Sequence, residues 1–232
     1  MGKARSRRRE RAAVRELLAA ERRALADDLD ELTEQQLASQ SLCGAWKVRE
    51  VAAHVLAPLV YGRAGIARQT VVARFDLNQM NERLAAEVAR WSIGQIAALL
   101  RERSDELYTL GAIPPYIWLN DVVVHGEDIR RPLGLAHQVA PEALRLGLDG
   151  ALSVVGQAAL PWLTRGRRGI ARAAAQGRLR LRATDLDWSF GSGALVSGTG
   201  IDLLLAITGR SAGAERLSGP GVAHLAPRTT AS

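Results

Sequence analysis

Apolar residues recur every three to four positions through the first half of this chain and every second position near residue 180, so helices must come first and strands later. Val14, Leu17, Leu18, Leu25 and Leu29, with Arg and Glu between them, predict a helix over about 11–32. Thr33 begins a short turn or helix through Leu37. Gly44 then interrupts the pattern. A second helix, roughly Ala45 to Tyr61, carries an apolar face of Val48, Val51, Ala52, Val55 and Leu59, with His54 at its edge. Pro58 denies the His54 carbonyl its backbone partner, so it either kinks this helix beside His54 or helps to end it. A third helical stretch runs from about Leu77 to Leu110 in one or two pieces. Asp76 or Asn78 caps its start; Ser92 caps the second piece, with Gln95 completing a capping box. Pro114-Pro115 opens a fourth helix and Arg131-Pro132-Leu133-Gly134 ends it.

Beyond Ala136 the pattern changes. Pro141 starts an apolar helix to about Leu163, and the Gly- and Arg-rich stretch Thr164 to Gly177 reads as a loop. Leu179, Leu181 and Ala183 alternate with Arg178, Arg180 and Arg182; Leu186, Trp188 and Phe190 alternate with Asp187 and Ser189. Period two predicts an antiparallel hairpin, followed by a turn at Gly191-Ser192-Gly193. Thr199 or Gly200 opens a helix over Ile201 to Thr208, stopped by Gly209, and Val222, Ala223 and Leu225 suggest a last short element. The chain is therefore expected to be α+β: a basic, disordered tail over 1–10, a helical bundle over 11–136, and a small α+β domain over 137–232.

Composition narrows the function classes. The single cysteine, Cys43, forbids an intrachain disulfide and suits a reducing compartment; it reads as a half-buried small residue, with a nucleophile or metal ligand as the alternative. No apolar run reaches the ~18 residues that cross a bilayer, and the basic N-terminus lacks the apolar core of a signal peptide. The chain reads as cytoplasmic. The net charge of +7 is carried almost wholly by arginine, concentrated in Lys3 to Arg9 and again in Arg165 to Arg182. Such clusters attract phosphates, but no helix-turn-helix, zinc-finger or RNA-binding signature accompanies them, and a solvated tail and loop are the stronger reading. G-x-S-x-G, P-loop and dinucleotide fingerprints are absent, so acyl-serine, phosphoryl-transfer and hydride-transfer chemistry have no support.

The residues with chemistry to offer are Asp121 and His125. At i and i+4 they share one face of a helix and can grip one divalent cation, with His54 from the second helix as a third ligand. Two imidazoles and a carboxylate leave positions open for water or substrate. If Tyr116 to Val124 were instead a strand, as the β-branched Val122, Val123 and Val124 would allow, the pair would stand about 13 Å apart, too far for one ion. Asp128, a turn beyond His125, suits the role of fixing its tautomer, or could pair with Arg130 or Arg131. His137 and His224 read as structural or exposed. Four helices with polar residues aimed inward describe a four-helix bundle with a metal site in its core.

The segments Leu42 to His54 and Asn120 to Gly134, followed by Trp188 to Gly191 and Ser197 to Arg210, resemble in sequence and order the mycothiol-dependent maleylpyruvate isomerase family. The resemblance implies a DinB-like four-helix bundle, a small C-terminal domain similar to sterol carrier proteins, and a divalent metal, commonly zinc. By motif the metal falls on His54, Asp121 and His125. Where the family has an E-x-x-x-H pair this chain has Asp121, one methylene shorter, so the ion would sit closer to the helix backbone or bind through water. The resemblance further implies mycothiol as cosubstrate, in an isomerase or a thiol transferase acting on a small anionic electrophile. The family's functional C-terminal arginine corresponds to Arg210, which would contact a substrate carboxylate or else satisfy carbonyls at a helix end. The alternative is a non-catalytic small-molecule binding protein on the same scaffold. Substrate, metal identity and oligomeric state stay open.

Overall fold

The computed structural model describes residues 2–44, 46–107, 114–156 and 168–225. The chain divides into two compact units, Met1–Gln138 and Val139–Ser232. The first is all helical: α1 (Gly2–Asp30), α2 (Glu34–Leu37), α3 (Val48–Val72), α4 (Leu77–Val88), α5 (Ile93–Glu102) and α6 (Tyr116–Leu133). Helix α1 lies against α5 and α6, and α3 lies against the same two, which makes a four-helix bundle with α4 folded back along α3. The core is built from Leu18, Leu25 and Leu29 of α1, Val51, Ala52 and Leu56 of α3, Ile96 and Leu100 of α5, and Leu119, Val122 and Ile129 of α6, all fully or almost fully buried.

The local signals explain most of the boundaries. Thr33 accepts the Gln36 N–H in a capping box that starts α2, Asp76 accepts from Asn78 and Gln79 to start α4, and Ser92 forms a capping box with Gln95 at α5. Gly134, in the left-handed region, closes α6. The β-branched run Val122 to Val124 is helical because all three side chains are buried, and packing outweighs their weak helix preference.

Three expectations change. The helix of α1 runs back to Gly2, so the backbone of the Arg-rich stretch expected to be a disordered tail is helical; Ala and Arg are good helix formers. Helix α3 neither ends nor breaks at Pro58. The only non-helical backbone within it is at Gly62, φ 59° and ψ −174°, a conformation that only glycine adopts without strain, and the helix resumes to Val72. Helix α5 stops at Glu102 rather than continuing towards Leu110, and residues 108–113 lie outside the described part.

The second unit contains α7 (Pro141–Gly156), α8 (Arg168–Ala175), strands β1 (Leu179–Ala183), β2 (Ser189–Gly191) and β3 (Ala194–Gly198), α9 (Gly200–Ile207), α10 (Ser211–Ala214) and a final 3-10 turn (Pro220–His224). The hairpin pairs β1 with β2 antiparallel, Leu181 opposite Phe190. The sequence pattern missed β3, which runs parallel to β1 on its other side, giving the order β2-β1-β3. To change sides the chain crosses the start of β1 in two residues. A Cβ on Gly193 would fall 2.1 Å from the Arg178 backbone, and one on Gly191 would fall 2.2 Å from the Leu179 carbonyl. Only glycine permits that crossing. Of the expected loop 164–177, the described part is largely the helix α8, whose Ile170, Ala171 and Ala174 form a buried face; the end expected for α7, Leu163, lies outside the described residues. Leu179 and Leu181 of β1 and Leu203 to Leu205 of α9 fill the interior. Among the described residues no helix is long and apolar enough to cross a membrane.

Candidate functional site: a histidine–aspartate–histidine cluster

The ends of two helices and one loop are tied together around the candidate residues. The Lys47 N–H donates to Glu50 Oε2 at 2.8 Å, which fixes the start of α3 and so the azimuth of His54 two turns on. The loop before it is anchored to α6, because the Leu42 N–H donates to the Asp128 carbonyl at 3.0 Å. Within that loop Ser41 Oγ donates to the Trp46 carbonyl at 2.6 Å, and Gln40 Nε2 does so at 2.9 Å. Trp46 is thereby laid over the site. Its ring centroid lies 4.8 Å from that of His54 and 6.3 Å from that of His125.

His54, Asp121 and His125 come together. Each offers one ligand atom, and these atoms lie within 4.8 Å of one another. Asp121 Oδ1 is 3.8 Å from His54 Nε2 and 3.6 Å from His125 Nε2. Ligand atoms on one tetrahedral ion with ~2.1 Å bonds stand about 3.4 Å apart, so the donor set fits a single divalent cation after small adjustments. The two imidazoles meet edge to face, centroids 4.8 Å apart. They are nearly buried, while the Asp121 side chain is 30% exposed and marks the open side.

The second nitrogen of His125 is also engaged. Nδ1 lies 2.9 Å from Oδ2 of Asp128, whose side chain is fully buried. With the carboxylate accepting from Nδ1–H, Nε2 is left unprotonated and turned to the cluster. Burial holds the His125 pKa below the ordinary histidine value; the Asp128 hydrogen bond and the Asp121 charge oppose this without cancelling it. A neutral imidazole is the form that binds metal. The arginines next in sequence take other partners: Arg130 Nε donates to Asp28 at 2.6 Å and Arg131 Nε to Glu127 at 2.8 Å. Gly126 makes room for the first of these. A Cβ there would stand 2.7 Å from Nη1 of Arg130, a side chain only 1% exposed.

One site residue, Trp46, had no role in the sequence reading. Nor had the buried Arg22 of α1, 3% exposed, whose pKa burial lowers to about 10 against the raising effect of Asp121. Its signal was its spacing: Arg22 falls in the same buried stripe as Leu18, Leu25 and Leu29. Of the remaining candidates, His137 Nε2 pairs with the buried Glu21 at 2.9 Å, and His224 is exposed. Cys43 is half-buried. Arg210 belongs to the second unit, where its Nη1 donates to the Thr208 carbonyl at the end of α9 at 3.0 Å.

Fold and cluster together define a class: helical bundles that converge two imidazoles and a carboxylate from two helices at one partly open point. Residues 18–130 match the family described as Mycothiol maleylpyruvate isomerase N-terminal domain. This stretch carries the N-terminal domain of the mycothiol maleylpyruvate isomerase family. Two solved structures share its fold. A crystal structure of a histidine-to-alanine mutant of the mycothiol-dependent maleylpyruvate isomerase superposes with a TM-score of 0.56 at 13% identity, covering 91% of this chain and 92% of its own. A crystal structure of the mycothiol-dependent maleylpyruvate isomerase superposes with a TM-score of 0.54 at 14% identity, covering 87% and 89%. No curated protein matches the sequence.

Proposed function

We propose that the first unit holds one divalent ion, preferably zinc, between His54, Asp121 and His125. In this reading the protein works with mycothiol as an isomerase, or as a thiol transferase, on a small anionic electrophile. The observation that carries the reading is the convergence of three ligand atoms within 4.8 Å, from residues 67 to 71 positions apart in sequence and one helical turn apart. Mycothiol and the isomerase activity come to it from the family of the N-terminal domain. A bound divalent ion would supply Lewis-acid chemistry, lowering the pKa of a coordinated water or thiol towards neutrality.

The chain's own residues do the rest. Burial keeps His125 neutral, and Asp128 accepts its Nδ1–H and so directs Nε2 inward. The Trp46 ring lies against both imidazoles on one side of the cluster. The exposed edge of Asp121 is the side from which thiol and electrophile would enter. Asp121, one methylene shorter than glutamate, would hold an ion closer to the α6 backbone or bind it through water. The part proposed for Arg210, contact with a substrate carboxylate, rests on the sequence resemblance; its bond to the Thr208 carbonyl supports the competing helix-end role. The lone Cys43 suits a reducing cytoplasm.

The test is zinc binding and thiol-dependent turnover measured on the same preparations. Zinc-loaded wild type should isomerise maleylpyruvate, or a related unsaturated carboxylic acid, only with mycothiol present. His54→Ala should lose metal and activity together. Zinc held no more tightly by wild type than by His54→Ala would remove the site. Tight zinc binding without any thiol-dependent reaction would remove the activity and leave the site.

A further inference from the structure

The two imidazoles of the cluster are held in different ways. His125 is fixed through its second nitrogen, by the Asp128 carboxylate at 2.9 Å. His54 makes no hydrogen bond to any described residue; Asp121 Oδ1 stands 3.8 Å from its Nε2. A metal-binding histidine ordinarily gives its other ring N–H to a carboxylate, carbonyl or water, and that bond sets the orientation of the ring. Without such a bond from the protein, the His54 ring depends on packing to stay turned towards the cluster. Two rings pack on it: His125, edge to face, and Trp46, tilted by 45°, each with its centroid 4.8 Å away. Both distances are those of a direct aromatic contact.

Trp46 is itself fixed at both ends of its backbone. Its carbonyl accepts from the Ser41 N–H at 3.3 Å, from Ser41 Oγ at 2.6 Å and from Gln40 Nε2 at 2.9 Å. A carbonyl oxygen has two lone pairs, so three donors saturate it. The Trp46 N–H donates to the Cys43 carbonyl at 2.7 Å, and the Val48 N–H closes the base of the loop on the Ser39 carbonyl at 3.1 Å. The far side of this 39–48 loop is tied to α6 by the Leu42 N–H on the Asp128 carbonyl. Asp128 thus acts twice: its carboxylate holds His125, and its main chain holds the loop that carries Trp46. One connected framework sets the ligand on α3 and the ligand on α6.

We propose that Trp46 is the positioning residue of His54: its ring, clamped by the 39–48 loop, keeps the His54 imidazole aimed at Asp121 and His125 before any ion binds. It does by ring packing what Asp128 does for His125 by a hydrogen bond. The proposal rests on the cluster being the metal site. Trp46 touches no ion in this assignment; it acts through His54, by reducing the ordering that the imidazole undergoes when it binds.

The experiment joins imidazole NMR of metal-free protein to zinc affinity by chelator competition. Wild type is compared with Trp46→Leu and Trp46→Phe, with His54→Ala to assign the His54 signals, and melting temperatures are taken alongside. The readout of orientation is the nuclear Overhauser effect between the His54 and His125 rings. It should be present in wild type and weak in Trp46→Leu, and zinc affinity should fall about tenfold in that variant, the scale of a lost aromatic contact or ligand-orienting group. Trp46→Phe should keep most of both. Unchanged zinc affinity in Trp46→Leu, or a fall with the ring-to-ring effect intact, would overturn the proposal. So would an equal fall in Trp46→Phe, which would make Trp46 a general support of the loop. Should Trp46→Leu not fold, Ser41→Ala decides, because it loosens the clamp and leaves the ring. Several-fold weaker zinc binding with a diminished ring-to-ring effect, at a near-native melting temperature, supports the assignment, and anything less overturns it. Failure of wild type to bind zinc would count against the proposed function, while the metal-free NMR comparison would still decide on Trp46.

Discussion

The helices of the first unit close around Arg22, His54, His125, Glu127, Asp128 and Arg130, all buried. In the second unit the buried polar side chains among the described residues are Ser197 and Asp202, and Asp202 accepts from Thr199 at the start of α9 as part of ordinary helix capping. One interior carries ionisable groups that a stable bundle does not need, and the other is filled by leucine, valine and alanine. Buried charge is expensive, and its concentration in one unit is the ground for proposing the site there. The second unit is built by glycine crossings and apolar packing, and its stability should be separable from the site.

That separation can be broken first by removing packing. Leu204→Ala, at a fully buried position of α9, should cost about 2–5 kcal/mol of stability in the second unit. Zinc affinity of the first unit should stay within error, as calorimetric melting and chelator competition on the same sample would show. Asp128→Asn tests the other interior. The change keeps the shape but weakens the hold on His125 Nδ1, and zinc affinity should fall roughly ten- to a hundredfold with the fold intact by circular dichroism. Gly126→Ala sharpens the point about crowding. Alanine favours a helix by about 1 kcal/mol, yet here the Cβ would displace the buried Arg130 guanidinium, so urea unfolding should show a net loss of about 1–2 kcal/mol.

The smallest expected effect is a dependence on pH. The folded-state pKa of His125 is lowered, so between the ordinary histidine value of about 6.5 and that lower value the unfolded chain takes up a proton that the folded one refuses. The contribution is fully present above the ordinary value and is lost as pH falls towards the folded one. Metal-free protein should therefore lose stability below about pH 6.5, by at most ~1.4 kcal/mol per pH unit from this group. His125→Gln should flatten that part of the curve.

What the sequence made legible follows from which interactions are local. Helix starts at Thr33, Asp76 and Ser92 depend on side chains two or three residues away, and they could be read directly. The i,i+4 spacing of Asp121 and His125 is local too, and His54 was the histidine on the remaining suitable apolar face. Strand β3 depends on a parallel partner across a glycine crossing, and its Ala-Leu-Val-Ser-Gly run has no alternation to show it. Helix α8 was obscured by its arginines and glycine, although its alanines bury a face. Arg22 was read as one of the charged residues of an amphipathic helix, because the carbonyls that receive it come from residues more than 80 positions later. Burial of a charge is a tertiary fact, and a single apolar stripe interrupted by one arginine was its only trace.

The central claim is that two imidazoles and one carboxylate, from α3 and α6, share one cation. X-ray absorption at the zinc edge of thiol-free protein loaded with one equivalent tests it most directly. The account predicts one zinc per chain with two imidazole nitrogens and carboxylate oxygen at about 2.0–2.2 Å, and loss of that signature in His54→Ala. A sulfur ligand at about 2.3 Å, which would point to Cys43, or a spectrum unchanged in His54→Ala, would contradict it.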